Sequence, residues 1–223
     1  MQNYGGSYAG FLDVFQASRR GRGTALELVQ AVTDVFPCFR DERTLGGHRG
    51  AYPRLISCSF PHCSRAVFFW KRAQILVAET WAAFFPDDPS APHPLFPRGS
   101  GPCISSLTMF ADYRVPQILH HLGILVYPPS LQERLRKGKD IPPGSDEEIS
   151  LRSASIISVE RLRDEILRLR GDIGRGPWEE VNSVLIDFYL WDLAKRIETG
   201  KDRVDEINSV ELLPAHRTRS VWY

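Results

Sequence analysis

Apolar positions recur at helical spacing along most of the chain, with no sustained apolar/polar alternation of the kind that marks strands. Phe11, Leu12 and Phe15 form one short apolar helical face. Thr24 has the character of an N-cap, and Leu28, Val32 and Val35 lie on one side of the helix it opens, which Pro37 closes. Val67–Phe85 is the most apolar segment: Ile75, Ala78, Ala82 and Phe85 share one face, and Val77, Trp81 and Phe84 another. A helix apolar on most sides is expected to be central and buried. In Leu107–Leu125, Val115 precedes Pro116 and is biased to extended backbone, Pro116 suits a first helical turn, Ile118, Leu119 and Leu122 share a face, and Gly123 is a natural stop. Further helices are expected from Ser130 (Leu131, Leu135), over Ile156–Arg170 (Val159, Leu162, Ile166, Leu169) and over Trp178–Arg196. The last has Pro177 at its start, Glu179 and Glu180 in its first turn, Lys195 and Arg196 in its last, and a core face of Val181, Val184, Leu185, Phe188 and Trp191. The pattern predicts an all-α, mainly helical protein.

The intervening stretches read as loops. Pro86–Gly101 carries five prolines, and Lys137–Asp146 is a polar, Pro/Gly-rich turn. Cys38–Ala66 has no period; within it, residues 46–66 read as an irregular insertion into one helical domain spanning residues 1–223. Cys58, His62 and Cys63 match no common zinc spacing, so no metal site is expected. The tail LLPAHRTRSVWY ends on apolar and aromatic residues, which predicts that Val221–Tyr223 docks back onto the body, with His216, Arg217 and Arg219 alongside.

Composition narrows the function classes. With 223 residues, 43% hydrophobic and 25% charged, the chain can bury one sizeable core or two small ones. Twenty-eight basic against 27 acidic residues leave a net charge of +1, so no global field draws nucleic acid or an anionic membrane. The basic loop Arg19–Gly23 reads first as solvated surface. No apolar run reaches membrane-spanning length, and the first residues lack a signal-peptide pattern. Four cysteines are too few for a disulfide scaffold, so a reducing, cytoplasmic setting is expected. P-loop, Rossmann and nucleophile-elbow motifs are absent.

The candidate chemistry lies in four ionisable residues. Asp112 stands just before a helix, where it either caps that helix, pairs with Arg114, or meets a ligand. Lys71, near a helix start, is either a snorkelling surface lysine or a contact for an anionic substrate. Asp187 and Asp192 flank the Phe188/Trp191 edge, about 140° apart around a helix. A carboxylate beside buried aromatics is costly unless hydrogen-bonded, so at least one is a ligand candidate; the alternative is an ion pair with a cation from another helix.

Four segments, FWKRAQILVAETW, TMFADYRVPQILHHLGIL, SVLIDFYLWD and PAHRTRSVWY, resemble the queuosine salvage family, whose members are queuosine 5′-phosphate N-glycosylase/hydrolases. The resemblance runs from about Gly5 to Tyr223. It implies an architecture like that of helix–hairpin–helix DNA glycosylases, and hydrolysis of queuosine 5′-phosphate to release queuine for salvage into tRNA modification. It implies no cofactor, no metal, no stable nucleic-acid partner, no membrane and a monomer. Residue by residue, it implies that Phe110 and Asp112 line the queuine pocket, with Asp187, Phe188 and Asp192 opposite. It makes Asp112 the catalytic carboxylate and brings Lys71 to the phosphate or ribose. Three departures accompany it: the chain corresponds to the C-terminal part of a family member, the Cys58–Ser64 neighbourhood is inserted, and Phe188 stands where a tyrosine is expected. A non-catalytic helical remnant or binding module is the alternative, and a DNA glycosylase the third reading.

Overall fold

The computed structural model describes residues 4–45, 65–88, 91–97, 104–170, 181–201 and 209–223. Over these residues the chain is mostly helical, in keeping with the all-α reading. Helix α1 (Tyr8–Ser18) opens on Ser7, whose hydroxyl accepts the Gly10 N–H, and α2 (Ala25–Val35) on a reciprocal capping box between Thr24 and Glu27. A short 3-10 turn (Pro37–Phe39) leads to strand β1 (Glu42–Leu45), antiparallel to β2 (Arg65–Phe68), with Glu42 opposite Phe68 and Leu45 opposite Arg65. Then follow α3 (Lys71–Ala83), α4 (Arg114–His121), α5 (Pro129–Arg136), α6 (Asp146–Arg170) and α7 (Ser183–Glu198).

The hairpin corrects two expectations. Arg65 and Ala66 were expected in an irregular insertion, and Val67 and Phe68 in a helix; all four form β2. Four residues are too few to show a period, so only pairing with β1 reveals the strand. Residues 46–64, with Cys58, His62 and Cys63, lie outside the described residues. The turn from β2 into α3 is made by Trp70, a non-glycine residue at φ 44° and ψ 33°. That conformation costs of order 1–3 kcal/mol and is held by its surroundings. The Asp41 carbonyl accepts both the Phe69 and Trp70 N–H groups. α3 buries Ala73, Val77 and Ala78, but Ala82 is exposed and Phe84 and Phe85, 48% exposed each, lie past its end. It is therefore one-sided, not buried all round.

α4 begins at Arg114, and Val115 is helical despite the following proline. The Asp112 carboxylate binds the Arg114 and Val115 N–H groups, which secures the first turn. Gly123 ends the helix as expected, at φ 71°. α6 starts ten residues before the expected Ile156, on a turn where the Ser145 hydroxyl accepts the Glu148 N–H. α7 starts at Ser183, capped by Asn182, whose side chain accepts the Leu185 N–H at 3.0 Å. Pro177, Trp178, Glu179 and Glu180 lie outside the described residues. The buried face of α7 is Val184, Ile186, Asp187, Leu190, Leu193 and Ala194, whereas Leu185, Phe188 and Trp191 are 37–42% exposed. The expected core face was thus rotated. Choosing the aromatics as core put Asp187 at its edge; the helix in fact buries Asp187.

Two cores meet along a seam. One joins α1, α2 and α3 with Phe96, Ile104, Leu107, Phe110 and Val184; the other joins α4, α6 and α7 with Phe69, Met109 and Ala111. The segment before Asp112 serves both, sending Leu107 and Phe110 to the first and Met109 and Ala111 to the second. A third cluster sets α5 against α6 and Leu213 of the tail. The side-chain amide of Gln74 on α3 holds the seam segment, accepting the Thr108 N–H at 3.0 Å and donating to the Phe69 carbonyl at 2.9 Å.

Candidate functional site

Lys71, Asp112, Arg152 and Asp187 are all buried along this seam, with Asp41 and Glu148 beside Arg152. Ionisable groups in a protein interior are costly unless bonded, and Asp112, Arg152 and Asp187 are each held by hydrogen bonds. Asp112 accepts the Arg114 and Val115 N–H groups at 2.9 and 3.0 Å, both through Oδ1. Asp187 accepts the Phe110 N–H at 2.6 Å through Oδ2. Each carboxylate thus spends one oxygen on the scaffold, and the other takes no hydrogen bond among the described residues. The Phe110 and Phe188 rings meet edge to face at 5.9 Å and add an aromatic wall. Phe188 is 40% exposed, so it lines the rim of the site.

Lys71 lies in the field of Asp112, Asp41 and Asp187, yet makes no ion pair among the described residues. Burial lowers its pKa and Asp112 pulls it back up. Asp112 is pushed up by burial, against the Val115 N–H, Lys71 and the Arg114 N–H. Burial and the charge of Asp112 push Asp187 up to about 8, against the Phe110 N–H and Lys71. The two carboxyls titrate as a pair. Two amide donors favour the charged form of Asp112 against one for Asp187, and Asp187, raised to about 8, holds a proton near neutrality.

Of the residues expected in the site, Lys71, Phe110, Asp112, Phe188 and Asp187 come together. Asp192 does not: it is exposed on the outer face of α7, paired with Arg196 at 3.0 Å. Asp112 caps α4, as one of its readings expected, and lies in the field of Lys71. Asp41, Glu148 and Arg152 escaped the sequence reading. The signal for two of them was Ser145-Asp-Glu-Glu148, a capping-box spacing that starts a helix and puts Arg152 one turn after Glu148.

The raised Asp187 pKa and buried His216 predict opposite pH slopes. His216 falls to about 4, because burial, Arg152 and Lys71 disfavour its cation. Between about 4 and its ordinary value of about 6.5, the unfolded chain binds the extra proton, so stability rises with pH. Asp187 binds its proton in the folded state up to about 8, well above an ordinary aspartate, so its contribution falls as pH rises through that window. The slopes oppose each other below about 6.5, and between 6.5 and 8 the Asp187 slope remains. Thermal unfolding of the parent should fall over that upper range. Asp187→Asn, whose amide oxygen still accepts the Phe110 N–H, should melt higher than the parent at pH 8 and be flatter over the same range. Parallel curves for the two proteins would show that Asp187 is ionised in the fold at neutral pH.

A family model described as queuosine salvage protein matches residues 2–223. Relatives named queuosine 5′-phosphate N-glycosylase/hydrolase are similar to the chain throughout. The mouse protein is 37% identical over all of this chain and 54% of its own length. The Sphaerobacter thermophilus protein is 37% identical over 96% of this chain and 51% of its own, and the cattle protein 35% over 100% and 53%. The chain spans about half the length of these curated relatives. Among the described residues no helix is long and apolar enough to cross a membrane. A match along essentially the whole chain, including every residue of the buried seam, means that the chain belongs to the queuosine salvage protein family.

Proposed function

We propose that this chain forms the catalytic seam of an N-glycosyl hydrolase that cleaves queuosine 5′-phosphate into queuine and ribose 5-phosphate. The observation that carries the reading is the buried Asp112/Asp187 pair, one oxygen of each fixed by backbone N–H groups and both carboxyls pushed up by burial, Asp187 to about 8. Two carboxyls in different protonation states are what glycoside hydrolysis requires of its site. Asp112, the anion, stands below the anomeric carbon, stabilises the positive charge that develops on the ribose, and orients the water that attacks it. Asp187, still protonated, presents the O–H of its free oxygen to the edge of the departing base.

The base explains this division of labour. Queuine is a 7-deazaguanine, without the N7 at which a purine leaving group is protonated. A hydrogen bond from a neutral carboxyl to the base edge strengthens as negative charge builds on the leaving group, and so supports departure without protonation at a ring nitrogen. Phe110 and Phe188 supply the apolar walls for the ring. Lys71, surrounded by carboxylates, suits a ribose hydroxyl better than a phosphate dianion, and the phosphate then lies toward basic residues farther out. The cationic side arm of queuine is compatible with the surplus of carboxylates along the seam.

Incubation of the purified chain with queuosine 5′-phosphate, followed by mass spectrometry, tests the reading. Release of queuine and ribose 5-phosphate in equal amounts is the expected result. Calorimetric binding of queuine without any release supports instead a binding module of the same family, and the absence of both release and binding overturns the proposal.

A further inference from the structure

We propose that Tyr223 is a positioning residue whose ring, seated on Arg152, holds the Lys71 ammonium in place toward Asp112. The Lys71 Nζ lies 5.6 Å from the centroid of the Tyr223 ring, and the Arg152 guanidinium carbon lies 5.2 Å from the same centroid. A lysine with a long, flexible stem and no ion pair among the described residues needs something to fix its head, and the face of an aromatic ring does so.

The ring is itself built in. Arg152 is fully buried and bidentate on Asp41, bonds Glu148 Oε1 at 3.4 Å, and donates from Nε to the Ala111 carbonyl at 3.0 Å. Its other aromatic neighbour is Phe69, 3.9 Å away. Ala111 and Phe69 adjoin Asp112 and the Trp70–Lys71 turn, so the platform beneath Tyr223 is tied to both partners it serves. Two cations over one ring would repel, but Asp41 and Glu148 offset the charge of Arg152. Tyr223 is held from the outside as well. Its hydroxyl and His216 Nε2 lie 3.2 Å apart, and Arg72 on α3 donates to the Val221 carbonyl at 3.1 Å.

The proposal rests on the reading of Asp112 and Lys71 as site residues, and its test has one arm that needs no turnover. Tyr223→Leu removes the ring, Tyr223→Phe keeps it, and Arg72→Ala loosens the tail from an exposed position. The first arm measures acylation of Lys71 by an amine-reactive reagent, by mass spectrometry, relative to the exposed Lys137 and Lys139 in the same molecules. Lys71 should react faster than in the parent in Tyr223→Leu, to a lesser degree in Arg72→Ala, and at the parent rate in Tyr223→Phe. The second arm measures kcat and KM with queuosine 5′-phosphate: kcat should fall up to ~10²-fold in Tyr223→Leu, as for a misplaced catalytic group, and recover in Tyr223→Phe. Unchanged Lys71 reactivity in both Tyr223→Leu and Arg72→Ala overturns the proposal whatever the turnover. Faster acylation in a chain without any turnover keeps the clamp and counts against the hydrolase reading alone.

Discussion

Asp112→Asn should lower turnover of queuosine 5′-phosphate by on the order of 10³-fold or more while leaving the fold and queuine binding close to those of the parent. The asymmetry comes from the two jobs of one side chain. As a cap, Asp112 uses Oδ1 to accept the Arg114 and Val115 N–H groups, and an asparagine oxygen does the same. As a catalyst it contributes a negative charge at the sugar, which an amide lacks. The substitution also removes the like charge that helps push Asp187 up to about 8, so the pH dependence of stability above 6.5 should shift to lower pH in this variant. Steady-state kinetics beside calorimetric queuine binding and a thermal melt separates the effects. A variant that loses binding and stability as much as turnover would make Asp112 a structural cap only.

Arg152→Ala should be the most destabilising single substitution in the seam. Arg152, Asp41 and Glu148 are wholly buried, and removal of the cation that pairs with both leaves two carboxylates without their ion-pair partner in the interior. Breaking a buried ion pair from one side costs about 3–5 kcal/mol, because the partner stays charged and unpaired. In a chain of this size that corresponds to a fall in melting temperature of roughly 6–20 °C. The same cluster anchors the Ala111 carbonyl and the Asp41 loop that carries the Trp70 turn, so activity should fall with stability. The double variant Arg152→Met/Asp41→Leu, which withdraws both charges of the closest pair, should recover much of the loss. Urea unfolding of both variants checks this; a loss below about 1 kcal/mol in Arg152→Ala would mean that water reaches the cluster.

What was legible in the sequence followed from local signals. Thr24, Gly123, and the basic last turn of α7 announce helix ends through nearby backbone groups, and all three do so in the fold. The docking of the tail was legible in part: Tyr223 lies over two cations, but Val221 is 68% exposed and Arg217 and Arg219 pair with Asp140 at the surface. The failures came where distant partners decide. β2 exists only because β1 pairs with it. The buried face of α7 cannot be chosen from its own residues, since Phe188 and Trp191 are as apolar as the Leu190 and Leu193 that displace them from the core. Asp192 was grouped with Asp187 because both flank that edge, but the turn of the helix separates a buried carboxylate from an exposed one. Asp41, far from α6 in sequence, had no local mark of its pairing with Arg152.

The most direct test of the central claim is a crystal structure of Asp112→Asn with queuosine 5′-phosphate bound. The expected structure has the queuine edge on Asp187, its ring against the wall made by Phe110 and Phe188, and the anomeric carbon beside the side chain of residue 112. A substrate seated elsewhere, or seated with its phosphate between residues 112 and 187, would contradict it.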